Sequence, residues 1–120
     1  MIGPEKQYFD FLHGGTLKLQ QCRQCSRFAF PPRGHCVHCD SADLQWAAPS
    51  GFGSVYSHTT IGRKPESGGD YSVVLVDLAE GVRMMSTVVG IAPREVQVGQ
   101  NVKASVVLTD GVGKVVFERV

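Results

Sequence analysis

The chain has 120 residues, 42% hydrophobic and 19% charged, with a formal net charge of +1. That length holds one globular unit or two very small ones around a modest core. No apolar run approaches the roughly 20 residues of a membrane-spanning helix, which argues against such a span. The basic side chains are concentrated: residues 15–39 hold Lys18, Arg23, Arg27 and Arg33 with no acid, while residues 48–120 hold seven basic and seven acidic side chains. A nucleic-acid groove needs a clear positive excess, and the C-terminal part has none.

The N-terminal stretch Met1-Ile2-Gly3-Pro4-Glu5 has neither a basic n-region nor an apolar h-region, so it is not expected to be a secretory leader. A cytoplasmic location is the expectation. There thiols stay reduced, and four cysteines point to metal or redox chemistry.

Pro4 to His13 is expected to be a short helix. Pro4 suits its first turn, Tyr8, Phe11 and Leu12 share a face, and Gly14-Gly15 ends it. About ten residues make a marginal helix in isolation, so it must dock on something, either its own domain or a partner chain. Leu17 and Leu19 alternate with polar residues, giving a short strand into the first cysteine pair. Phe28 to Pro32 reads as an apolar strand stopped by two prolines. Asp40-Ser41-Ala42-Asp43 reads as a turn and Leu44-Gln45-Trp46 as a closing strand.

The valine- and glycine-rich remainder predicts strands over Gly53–Ile61, Tyr71–Ala79, Val82–Val89, Val102–Thr109 and Val115–Arg119. A tight hairpin is expected at Glu80-Gly81 and another from Asp110 to Gly113. A polar loop covers Gly62–Gly69, and one helical turn is expected over Ala92–Val96. Five strands in about 70 residues favour a small closed barrel over a sandwich. The expected organisation is a helix and cysteine segment over residues 1–47 and a barrel over 48–120.

The cysteines carry the chemistry. Cys22-x2-Cys25 and Cys36-x2-Cys39, ten residues apart, bring four thiolates around one point and suit tetrahedral Zn²⁺. The C-x2-C turns are expected to aim backbone N–H groups at sulfur. Arg23, Arg27 and Arg33 offset the −2 charge of such a site without invoking nucleic acid. A closed four-thiolate site has no open position and is structural; its metal supplies folding free energy that so small a segment lacks. Two alternatives remain at this level: iron in a rubredoxin-type site, or two disulfides. His35 and His38 are expected to face solvent.

No catalytic residue is assigned. His13 suits a capping or partner-facing role, and His58 lies mid-strand without a nucleophile motif. Phe52 and Tyr56 share a strand face, a minimal platform for stacked bases. Met84 and Met85 face opposite sides, one toward the core and one toward a partner.

In order and spacing, "YFDFLHGGTLKLQQCRQC", "RFAFPPRGHCVHC", "LQWAAPSGFGSVYSHTTI", "VVLVDLAEGVRMMSTVVG" and "VQVGQNVKASV" resemble the bacterial and archaeal family that joins a rubredoxin-like zinc ribbon to an OB-fold. Its members are encoded beside thiolase-like enzymes. The likeness covers nearly the whole chain. Ser26 and Asp40 stand where glycine commonly follows each cysteine pair. The resemblance implies a mainly β protein with an N-terminal helix, a rubredoxin-like four-cysteine zinc ribbon with one structural Zn²⁺, and a C-terminal five-stranded OB-fold barrel. It implies a non-catalytic accessory subunit of a thiolase or a thiolase-like, lipid-transfer-type aldolase, one that helps bind acyl-CoA. Candidate partner or acyl-CoA contacts are Phe28, Phe30, Arg63 and Lys64: aromatics in a segment too small to bury both deeply, and cations suited to phosphates. A single-stranded nucleic-acid-binding OB module and an iron electron carrier are the alternative functions.

Overall fold

The computed structural model describes residues 3–120; the leader expectation at Met1 and Ile2 therefore lies partly outside the described residues. Two compact units are present. One comprises Met1–Ser50, Glu80–Val82 and Val106–Val115, the other Gly51–Ala79, Arg83–Ser105 and Val116–Val120.

In the first unit, helix α1 spans Pro4–His13, with Pro4 in the first turn. It buries Tyr8 and Leu12 and leaves Phe9 exposed. Burial pushes the Tyr8 phenol up to about 12, because a phenolate would lose its hydration there. Gly14 caps the helix, and Gly15 takes a positive φ of 89°. His13 Nδ1 accepts a hydrogen bond from the Gly113 amide at 3.0 Å, which gives this histidine a structural post. Gly113 itself lies so close to the Leu12 carbonyl that any Cβ would overlap it. Strands β1 (Leu19–Cys22), β2 (Phe28–Ala29) and β3 (Leu44–Ala47) form an antiparallel sheet in the order β2-β1-β3. Trp46 anchors β3 to the helix: its Nε1 donates to Gln7 Oε1 at 2.8 Å, and its ring meets Phe11 edge-on at 5.3 Å.

The second unit contains β4 (Phe52–Ile61), β5 (Tyr71–Leu78), β6 (Arg83–Ser86) and β7 (Val88–Val89), with parts of β8 (Asn101–Thr109) and β9 (Val112–Arg119). The sheet order is β6-β5-β4-β8-β9-β7. The predicted third strand is thus divided: β6 pairs antiparallel with β5, and β7 pairs parallel with β9. No ladder joins β6 to β7, yet only Thr87 separates them in the chain. The two ends of the sheet therefore meet in one segment, which requires the sheet to curl round on itself. Side chains and backbone converge on this seam. The Phe117 amide donates to Thr87 O at 2.9 Å, and the Val88 amide donates to Ser72 Oγ at 3.1 Å. Ser72 Oγ also lies 3.0 Å from Thr87 Oγ1.

Val55, Val74, Val76, Val102, Met84 and Phe117 fill the interior. β4 bends at a register shift between Val55 and Ser57. Gly53 is obligatory where β4 crosses β5, because a Cβ there would stand 2.6 Å from the Asp77 carbonyl oxygen. The single turn expected near Ala92–Val96 is a 3-10 turn over Pro93–Glu95, and the loop after β4 contains another over Pro65–Ser67. No helix among the described residues is long and apolar enough to cross a membrane.

Candidate metal centre

The two cysteine pairs occupy turns of the same construction. Cys22 N–H donates to Arg27 O at 2.9 Å, and Cys36 N–H donates to Ser41 O at 2.8 Å. Ser26 N–H returns to Cys22 O, and Asp40 N–H to Cys36 O, each at 2.9 Å. To close that loop, Ser26 and Asp40 adopt φ of 66° and 64°. This is the left-handed region where a Cβ is penalised, and it explains in physical terms why glycine suits both positions. Inside each turn a backbone amide points at sulfur: Gln24 N–H to Cys22 Sγ at 3.4 Å and His38 N–H to Cys36 Sγ at 3.3 Å.

The four Sγ atoms lie within 4.8 Å of one another. Across the turns, Cys22 Sγ and Cys39 Sγ are 3.5 Å apart, and Cys25 Sγ and Cys36 Sγ 3.6 Å. Four sulfurs at about 2.3 Å from a tetrahedral metal stand about 3.8 Å from each other, whereas a disulfide needs about 2.05 Å. The set therefore fits a tetrahedral metal ion, and all four cysteines are free thiols, so the two-disulfide alternative is not realised.

The thiols are not equivalent before a metal binds. Cys22 is kept below its ordinary value, first by the Cys25 amide, against burial. Burial pushes Cys36 up, but the His38 and Cys39 amides outweigh it and hold this thiol down to about 6. The Ser41 amide favours the Cys39 thiolate, yet its sulfur neighbours, Cys22 foremost, and burial drive it up to about 12. A bound divalent ion would replace these protons with its own charge.

Cys22 and Cys36 are buried, while Cys39 is exposed. Arg23, Arg27 and Arg33 are exposed around the site, as are His35 and His38. Arg27 Nη1 lies 3.4 Å from His38 Nδ1. The histidines thus stand outside the thiol set.

The proposed contact residues lie elsewhere. Phe28 and Phe30 are half-buried. Phe30 meets Tyr8 edge-on at 5.4 Å and lines an apolar groove of about 320 Å³ with Tyr8, Phe9, Pro31, Pro32 and Glu5. The Arg63 side chain serves its own loop: Nε donates to Gly69 O at 3.1 Å, and the guanidinium lies 4.5 Å from the Tyr71 ring centroid. Lys64 is exposed. In the second unit Lys103 lies over Phe52 and Arg83 over Tyr56. Arg83 also holds Asp77 at 2.6 Å and keeps that carboxyl below its ordinary value. Met84 is interior and Met85 is 71% exposed, dividing as their adjacency requires. His58 is exposed.

The ChsH2 rubredoxin-like zinc ribbon domain matches residues 15–45, and the ChsH2 C-terminal OB-fold domain matches residues 46–107. A probable enoyl-CoA hydratase alpha subunit of Thermomonospora curvata is 34% identical over 97 residues, covering 79% of this chain and 30% of that protein. A DUF35 domain-containing scaffold protein of Methanocaldococcus jannaschii is 28% identical over 88 residues, covering 70% and 62%. The match thus spans less than two thirds of either relative. Among solved structures, a chain of the Ltp2-ChsH2(DUF35) aldolase superposes with a TM-score of 0.86 at 29% identity, covering 99% of this chain and 96% of that one. With the four-thiol centre in the matched ribbon and strands β4 to β7 in the matched OB-fold, the chain belongs to the ChsH2-type family of zinc-ribbon and OB-fold proteins.

Proposed function

We propose that this chain is a non-catalytic accessory subunit that binds a thiolase-like acyl-CoA enzyme, supports its assembly and contributes to acyl-CoA binding. On this reading residues 1–47 supply the helix and ribbon with one structural Zn²⁺ and residues 48–120 the OB domain, although Glu80–Val82 and Val106–Val115 belong to the first compact unit. The observation that carries this reading is the end-to-end likeness to a chain of the Ltp2-ChsH2(DUF35) aldolase. The name scaffold protein given to the archaeal relative points the same way. So does the chemistry of the chain: its cysteines are gathered into one centre, while His13 is bound to a backbone amide and His35, His38 and His58 face solvent. A closed thiolate site offers no position for substrate.

The nucleic-acid alternative is disfavoured by the balanced charge of residues 48–120, seven basic against seven acidic side chains, where a binding groove needs a clear positive excess.

The reading is tested by the turnover of the thiolase-like enzyme of the same organism, measured on acyl-CoA with and without this chain. The chain alone is expected to be inactive, and its addition to raise turnover or affinity for acyl-CoA. No change in either rejects the proposal. The apolar groove that Phe30 lines and, separately, Phe28 are the proposed partner contacts; Arg63 and Lys64 are the proposed acyl-CoA phosphate contacts. Phe30→Ala is expected to lower co-purification with the enzyme at least several-fold and leave zinc content unchanged, since truncating an aromatic anchor weakens an interface strongly. Loss of fold and metal together would instead make Phe30 a core residue of the ribbon. A folded, zinc-loaded variant that binds the enzyme undiminished removes it from the interface.

A further inference from the structure

Among the described residues, Gln20 and Ser72 are the buried polar side chains, and Gln20 is only 5% exposed. Ser72 belongs to the seam of the curled sheet. Gln20 stands on β1, opposite Ala29 of β2 and Trp46 of β3. Its carboxamide grips both backbone groups of one distant residue: Nε2 donates to Arg33 O, and Oε1 accepts from Arg33 N–H, each at 2.7 Å. Gln20 precedes Cys22 by two residues, and Arg33 precedes Cys36 by three. The clasp therefore ties the strand that delivers the first cysteine pair to the loop that delivers the second.

That link bears on the metal centre. The short sulfur–sulfur distances run between the pairs, Cys22 to Cys39 and Cys25 to Cys36, so the register of one turn against the other sets the ligand geometry. Two further side-chain links between these stretches are exposed and longer: Arg23 to Asp43 at 3.8 Å and Arg27 to His38 at 3.4 Å. Exposed pairs of that kind hold geometry weakly. A part-buried double hydrogen bond holds it more firmly, because breaking it strands the polar end of the buried Gln20 side chain. We propose that Gln20 is a positioning residue of the metal centre, its clasp on Arg33 setting the spacing of the two cysteine pairs before the metal arrives. This rests on the reading of the four cysteines as a metal site.

The test uses the full chain and Zn²⁺ or Co²⁺ alone, with affinity measured by competition against a chromophoric chelator. Gln20→Met keeps the side chain's length without its hydrogen bonds; Gln20→Glu keeps the acceptor and loses the donor. Gln45→Ala is the control, since Gln45 bonds Gln21 on the same sheet but does not grip the Arg33 loop. At temperatures where circular dichroism shows folded protein, Gln20→Met is expected to bind metal about tenfold more weakly, the lower end of the range for groups bonded directly to metal ligands, because Gln20 acts through Arg33. Gln20→Glu should also bind more weakly, and the Co²⁺ ligand-field band should change shape in both. Gln45→Ala should match the wild type. Affinities within twofold of wild type in both Gln20 variants, or an equal loss in Gln45→Ala, would overturn the positioning role. A wild-type chain that takes up neither ion would overturn the metal reading itself.

Discussion

Cys36→Ser is expected to abolish tight metal binding and unfold the ribbon. Cys36 is buried, and its sulfur is set by the His38 amide and by Cys25. Structural zinc contributes apparent free energies of about 10–16 kcal/mol in zinc-finger peptides, and loss of a metal is among the few mechanisms that carry a single substitution beyond about 4–5 kcal/mol. Elemental analysis of the wild type should find about one zinc per chain in a colourless protein. In Cys36→Ser the metal should be lost, and the far-ultraviolet signal of the ribbon should collapse. A variant with full zinc and a native melting profile would refute the ligand assignment. A red wild-type protein with thiolate-to-iron charge-transfer absorption would favour the rubredoxin-type alternative, because four tetrahedral thiolates suit both ions.

Phe117→Ala should be the most damaging change in the second unit. The ring is 0% exposed, and Phe117 stands opposite Val88 where the two ends of the sheet meet. Truncation removes the filling where β7 pairs with β9. A cost of about 3–5 kcal/mol is expected for such a core aromatic, a large part of the ordinary stability of about 5–15 kcal/mol. Urea unfolding followed by the intensity of an aromatic signal should show a correspondingly lower midpoint. A shift equivalent to less than about 1 kcal/mol would mean that this residue does not fill the core, since that is the scale of an ordinary substitution.

Local signals are legible where one stretch of chain decides its own conformation. Helix α1 runs from Pro4 to His13, as proline at its start and glycine after its end require. The C-x2-C turns carry their own instructions in cysteine spacing; at Ser26 and Asp40, where the family commonly has glycine, the backbone is left-handed despite the side chains. Features set by distant partners are not legible. The stretch Phe28 to Pro32 contributes only Phe28–Ala29 as strand, because Pro31 and Pro32 have no amide to pair. The predicted third barrel strand splits at Thr87, since its two halves find different neighbours, β5 and β9.

Alternation along β1 suggests that Gln20 faces water when Leu19 faces the core, yet both are buried. β1 is the central strand of its sheet, and Arg33 covers the face that carries Gln20. No period-two pattern reveals a polar residue whose partner is a backbone thirteen residues away. Charge alone singles out Arg63 in the sequence; the structure engages its guanidinium with Gly69 and Tyr71, contacts that depend on how its loop closes.

Mass measures the proposed partnership most directly. The purified chain and the thiolase-like enzyme of its organism, mixed at micromolar concentration, should elute in gel filtration with light scattering as one species whose mass requires both chains. Two separate peaks, each at the mass of its component alone, would contradict the account.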